Sequence, residues 1–183
     1  MASVLVPLAQ GCEELEAVTV IDLLRRAGID VVTAGLDGQP VRASRGVTLL
    51  PDMSLDAALQ QEFDMIILPG GLPGADHLRD DPRVIDLLKK MAAADRFTAA
   101  ICAAPRVLAH AGLLDGKRAT SFPGALDIDT IPGLVYQETA VVTDDKVITS
   151  RGPGTAMDFA LTLIETLVGR EKRDEVEAGL QCG

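Results

Sequence analysis

Short apolar runs alternate along the chain with segments whose apolar residues recur every three to four positions, and Gly-rich turns separate the two. Residues 4–8 (Val-Leu-Val-Pro-Leu) read as a buried strand, and residues 13–27 carry helical periodicity that stops at Gly28. Residues 30–34 predict a second strand. Residues 41–50 form two extended pieces around a Ser44-Arg45-Gly46 turn, and Ser54 caps a short helix to Leu59. The apolar run 63–68 ends in Pro69-Gly70-Gly71-Leu72-Pro73-Gly74. A helix follows over 82–94, with Pro82 in the first turn, where its missing N–H is tolerated. Residues 97–101 are a further strand, leading into Cys102 and a helix over 105–111 that Gly112 ends. Residues 118–122 and Val135 read as extended, and residues 141–142 and 147–148 flank a hairpin turn at 143–146. Helices over 155–168, with Thr155 as N-cap, and over 172–178 complete the pattern.

Strands apolar on both faces and alternating with helices predict a mostly parallel sheet covered by helices on both sides, an α/β sandwich. The 183 residues suit one domain, with no linker or repeat to divide them. In such sheets ligands bind beyond the carboxyl ends of the strands. The loops to watch are therefore 10–16, 69–74, 102–105 and the one after Ser121.

Composition narrows the classes of function. Acidic residues outnumber basic ones 27 to 17, a formal charge of −10 without a basic run, which argues against nucleic acid or an anionic membrane as main partner. The most apolar stretch, near residues 97–114, contains Pro105 and Arg106 and falls short of the roughly 20 residues a bilayer needs. The N-terminal apolar run lacks a basic leader, unlike a secretory signal. Three cysteines without C-x-x-C spacing fit a reducing cytoplasm rather than a disulfide framework.

Cys102 stands out by position. A strand–turn–helix setting with small neighbours Ala103 and Ala104 is that of a nucleophile elbow, where helix N-terminal N–H groups favour a thiolate and lower its pKa. A small, inert, buried cysteine is the alternative reading of the same position. Glu16 is the second anomaly. At 100° per residue it shares its direction with Val20, Leu23 and Ala27, so a carboxyl extends the apolar stripe towards the sheet at the loop end. Burial there raises its pKa and lets it donate a hydrogen bond to a thiolate. Glu14 lies on the far side near Arg25 and reads as a solvated first-turn acid. Val18 and Ile21, apolar on that polar side, hint at a subunit contact.

Pro69-Gly70-Gly71 offers backbone N–H groups for an oxyanion, or simply a turn; it is neither a Walker loop nor a dinucleotide fingerprint. Arg151, in the turn Ser150-Arg151-Gly152-Pro153-Gly154-Thr155, either holds an anion near the site or pairs with a carboxylate. Only His77 and His110 occur, both on expected helices. His110 is two turns beyond Cys102, about 12 Å along the axis, so neither forms an obvious Cys–His dyad or a zinc cluster. Cys12 reads as a near-surface oxidation site and Cys182 as incidental.

Four segments together carry a resemblance. Gly11-Cys12-Glu13-Glu14-Leu15-Glu16, Leu68-Pro69-Gly70-Gly71, Ala99-Ala100-Ile101-Cys102-Ala103-Ala104-Pro105 and Thr149-Ser150-Arg151-Gly152-Pro153-Gly154-Thr155 are similar, in order, to the ThiJ/PfpI superfamily. Within it they look closest to the branch of the human parkinsonism-associated protein deglycase and bacterial YajL. The resemblance implies a flavodoxin-like three-layer sandwich and a homodimer with the first helix near the twofold. It also implies a nucleophilic Cys102 bonded to the carboxyl of Glu16, with Gly70, Gly71 and Ala103 supplying the backbone around an oxyanion. Glu14, Phe122, Arg151 and Pro153 are expected around the substrate pocket. Phe122 stands where the human branch has a histidine and the YajL-like branch phenylalanine. Ala103 stands where protease-like members have histidine, which disfavours a peptidase.

The activity so implied is a glutathione-independent glyoxalase, needing no metal or cofactor. Its substrates are reactive 2-oxoaldehydes such as methylglyoxal, with glycated or unfolded proteins as further partners. An oxidative-stress sensor or redox-regulated chaperone, acting through a Cys102 sulfinate, is the alternative.

Overall fold

A computed structural model describes residues 1–181; Cys182 lies outside them. In chain order the strands and helices are β1 (Ser3–Leu8), α1 (Glu14–Arg26), β2 (Asp30–Gly35), β3 (Val41–Arg42), β4 (Thr48–Leu49), β5 (Met53–Ser54), α2 (Leu55–Ala58), β6 (Met65–Leu68), α3 (Gly74–Asp80) and α4 (Pro82–Ala93). They continue as β7 (Phe97–Ile101), α5 (Pro105–His110), β8 (Arg118–Ala119), β9 (Val135–Tyr136), β10 (Val141–Asp144), β11 (Val147–Ser150), α6 (Ala156–Val168) and α7 (Arg170–Gly179). The central sheet runs β10-β11-β7-β6-β1-β2-β5, parallel throughout except for the β10–β11 hairpin.

Alternation along β1 divides the core. Val4, Val6 and Leu8 pack with Val20, Leu24, Phe159 and Ile164 on the face covered by α1 and α6. Leu5 faces the other way, among Ile66, Leu68, Leu78, Leu88 and Leu108 beneath α3, α4 and α5. Both faces are thus sealed, the three-layer α/β arrangement expected of strands without a polar side.

Connectivity fixes the site. From β1 the chain moves outward to β2 and β5, then returns to lay β6 and β7 on the opposite side of β1. The loops after β1 and β6 therefore diverge and leave a crevice at the carboxyl edge, the switch point where α/β folds bind ligands. The β3–β4 hairpin folds back over the start of α1, its Ser44 N–H bonded to the Cys12 carbonyl.

Several boundaries depart from the pattern. Gly74, the last residue of the Gly-rich turn in the pattern, opens α3, and a side chain there would meet the Cys12 backbone nitrogen at 2.6 Å. β5 pairs only two residues with the end of β2, too short to show in the pattern. The extended piece expected over 118–122 stops at Ala119. Beyond it the Phe122 N–H is drawn to the Cys102 carbonyl, and Tyr136 donates its hydroxyl to the Ser121 carbonyl. Thr155 does not cap α6; its hydroxyl bonds Gly152 and Ser150 and closes the turn 150–155 instead.

Candidate active site

Three loops deliver the central residues. Glu16 sits in the first turn of α1 after β1, Gly70 and Gly71 follow β6, and Cys102 and Ala103 follow β7. Cys102 has φ +63°, the left-handed region that costs an ordinary side chain roughly 1–2 kcal/mol. Two backbone bonds hold it there, its own N–H to Ser150 and its carbonyl to Phe122. The sharp turn directs the thiol away from the sheet, leaving the residue 8% exposed at the base of a cavity.

Glu16 is fully buried, as its place in the apolar stripe requires. Its Oε2 accepts the Gly70 N–H at 2.8 Å, Oε1 is buried without a hydrogen-bond partner, and the Cys102 thiol lies close enough to act on the carboxyl. A methyl group on Gly70 would lie 2.7 Å from both Cys102 Cβ and Glu16 Oε2, so glycine is what allows these groups to meet. Gly71, at φ +84°, turns the chain so that its N–H and that of Ala103 lie near the Cys102 thiol and favour its charge.

Electrostatics couple the pair. Burial is the main force raising Glu16 to about 7, against the bonds from Cys102 and Gly70, which favour its charge. The expectation of a lowered thiol pKa is overturned. Burial, the Glu16 charge and the Glu16 hydrogen bond push Cys102 up to about 12, outweighing the Gly71 and Ala103 N–H groups. The pair thus gives up one proton near neutrality and keeps the other far above it. Above about pH 7 the pair therefore keeps one proton, on the sulfur, and carries one negative charge, on the carboxylate.

The remaining candidates separate. Glu14 is not solvated: it is buried under the β3–β4 hairpin, accepting the Ser44 hydroxyl and the Arg45 and Val47 N–H groups. Burial pushes its carboxyl up, but its own backbone N–H and those donors prevail and hold it below the usual range. It secures the hairpin and does not line the cavity; Glu13 does. Gly70 has no N–H to offer an oxyanion, since Glu16 takes it. Arg151 is likewise absent from the lining, its N–H bonded to Ala140 and its Nη1 buried without a partner. The cations that line the cavity with Cys102 are Arg45, within an ordinary turn, and Arg106, in the first turn of α5, and the pattern marks neither. Phe122 and Pro153 do line the cavity, Phe122 half exposed at its mouth.

Cys12 is fully buried rather than near the surface, with its thiol raised to about 11 by burial and by the charges of Glu14, Glu13 and Glu16. His77 is exposed with Nδ1 3.0 Å from the Gln10 carbonyl, and His110 is exposed at the end of α5. Among the described residues, no helix is long and apolar enough to cross a membrane, and no three His, Cys, Asp or Glu side chains gather to hold a metal.

Comparison with known proteins agrees with this arrangement. The Parkinson disease protein 7 homolog of Danio rerio is 47% identical over 180 residues, spanning 96% of this chain and 95% of the relative. The glutathione-independent glyoxalase DJR-1.2 of Caenorhabditis elegans is 39% identical over 175 residues, spanning 96% and 92%. The crystal structure of Drosophila melanogaster DJ-1beta superposes with a TM-score of 0.93 at 46% identity, covering 100% of this chain and 98% of that one. The DJ-1/PfpI family description matches residues 2–166. With the sheet order, the elbow cysteine and its buried glutamate in place, the chain belongs to the DJ-1/PfpI family.

Proposed function

We propose that the protein converts 2-oxoaldehydes such as methylglyoxal into 2-hydroxycarboxylates without glutathione, with Cys102 as nucleophile and Glu16 as the proton-transfer group. The observation that carries this reading is the coupled pair, a thiol in contact with a carboxyl that ionises near pH 7, opening on a cavity of about 470 Å³. The nematode relative, named a glutathione-independent glyoxalase, supports the same reaction class.

In the first step the sulfur attacks the aldehyde carbon while its proton passes to the Glu16 carboxylate. An S–C bond forms, the carbonyl electron pair moves to oxygen, and Glu16 returns the proton there to give a hemithioacetal. Gly71 and Ala103, whose N–H groups lie near the thiol, are the donors we assign to that oxygen as charge develops. Glu16 then takes the hydrogen from C1 as a proton, an enediol forms, and the proton returns at C2. C1 reaches the acyl level as C2 becomes an alcohol, so the redox change stays within one molecule and consumes no external electron carrier. Water cleaves the thioester, releasing lactate and restoring the thiol.

Glycated proteins or nucleotides extend this reading through the same aldehyde chemistry. Lactate formation from methylglyoxal tests it: Cys102→Ser and Glu16→Gln are each expected to lose about 100-fold or more in kcat/KM. Full activity in Cys102→Ser overturns the scheme. The exposed apolar side chains Leu15, Val18 and Leu50 on α1 and beside β4 support a homodimer built on this face, which sedimentation analysis tests by mass.

A second reading rests on the same sulfur. Two N–H donors and a carboxyl able to hold a proton suit the oxygens of a sulfinate, favouring an oxidation sensor or redox-regulated chaperone of unfolded proteins. Mild peroxide followed by mass spectrometry is expected to add two oxygens to Cys102 and stop there. Equal oxidation of Cys12, Cys102 and Cys182 contradicts it.

A further inference from the structure

The Cys102 cavity is far larger than a three-carbon aldehyde requires. Its volume of about 470 Å³ leaves ample room beyond the five non-hydrogen atoms of methylglyoxal. Nor does it end near the thiol. Arg106 and Ala125 line it and also line a neighbouring cavity of about 480 Å³, so the two spaces meet at the Arg106 side chain.

Arg106 has unused capacity. A guanidinium carries five N–H donors. Among the described residues its one acceptor is Asp76 Oδ1 at 3.0 Å, and its Nε is buried without a partner. Asp76 is itself shared, the same oxygen pairing with Arg79 at 2.9 Å. The side chain is three-quarters buried and tethered, so little rotamer freedom remains to be lost when a ligand arrives. Arg45, the other cation of the lining, is exposed and makes no ion pair among the described residues. In a chain of charge −10, two arginines and the one acid Glu13 line this cavity, the Glu16 carboxylate lying buried behind Cys102 rather than in the lining.

We infer that Arg106 is a specificity-determining residue, binding an oxyanion at the far end of a 2-oxoaldehyde whose aldehyde carbon sits at Cys102. The inference rests on the glyoxalase reading and names the substrate class within it: 2-oxoaldehydes carrying a carboxylate or phosphate. A planar fork suits either group, so the chemistry fixes the charge and the experiment fixes its source.

The test compares kcat/KM for 4,5-dioxovalerate, its uncharged methyl ester, and 3-phosphooxy-2-oxopropanal in wild type, Arg106→Gln, Arg106→Lys and Arg45→Gln. Wild type is expected to favour at least one anionic aldehyde over the ester by tenfold or more, the preferred arm naming the oxyanion. Arg106→Gln should bring that ratio within about twofold of unity, chiefly through KM, and Arg106→Lys should keep an intermediate ratio. A wild-type ratio near one, or a preference that survives in Arg106→Gln but is lost in Arg45→Gln, overturns the assignment. Calorimetric binding of levulinate, an unreactive ketoacid, and of inorganic phosphate separates the two readings. If no aldehyde turns over, the glyoxalase reading falls. Arg106 is still supported if either probe binds Arg106→Gln at least tenfold more weakly than wild type, and rejected if neither does.

Discussion

Glu16→Gln isolates the energetic cost of the buried carboxyl. In the folded protein Glu16 ionises near 7, against an ordinary value of 4.5. A raised carboxyl pKa means the folded state holds its proton more tightly than the unfolded chain. The stability that follows is complete below about pH 4.5 and is lost as pH rises through 7. The change from pH 5 to pH 8 amounts to about 2–3 kcal/mol, at ~1.36 kcal/mol per pKa unit. Glutamine keeps the shape but cannot titrate, so the variant escapes that loss. Urea unfolding at several pH values gives the comparison, because groups not coupled to Glu16 titrate alike in both proteins and cancel in the difference. Stability of Glu16→Gln minus that of wild type should climb by about 2–3 kcal/mol between pH 5 and 8, with unchanged m-values. A difference constant within about 0.5 kcal/mol refutes the reasoning.

Gly70→Ala drives a methyl group against Cys102 and Glu16 Oε2, and should cost about 1–3 kcal/mol in urea unfolding while separating the pair. Glu14→Ala strips the acceptor from Ser44, Arg45 and Val47; it should lower stability by about 1–3 kcal/mol and speed amide exchange at 44–47. Phe122→Ala removes a half-exposed side chain from the cavity mouth, and should change stability by less than about 1 kcal/mol while speeding alkylation of Cys102.

The parallel sheet and the place of the site were legible because each depends on local pattern. Apolar runs marked the strands, and the helical direction of Glu16 placed its carboxyl inward, where the structure has it. What was hidden depends on segments remote in sequence. A helical wheel compares Glu14 only with its own helix, whereas a hairpin some 30 residues later covers it. Nearby N–H groups, visible in the sequence, do lower the Cys102 pKa, but burial and a carboxylate from another segment exceed them. Gly70 resembled a free N–H donor until Glu16 was brought against it. Arg106 and Arg151 both follow strand ends, and only the path of the surrounding loops shows that Arg106, not Arg151, lines the cavity.

The central claim is that the Cys102–Glu16 pair gives up one of its two protons near neutral pH and keeps the other. Alkylation of Cys102 by iodoacetamide, followed by mass spectrometry as a function of pH, examines it without any assumed substrate. The rate in wild type should rise with an apparent pKa near 7, as Glu16 becomes free to accept the thiol proton, and that rise should vanish in Glu16→Gln. Matching profiles in the two proteins, or the profile of an isolated cysteine near ~8.5, would contradict the account.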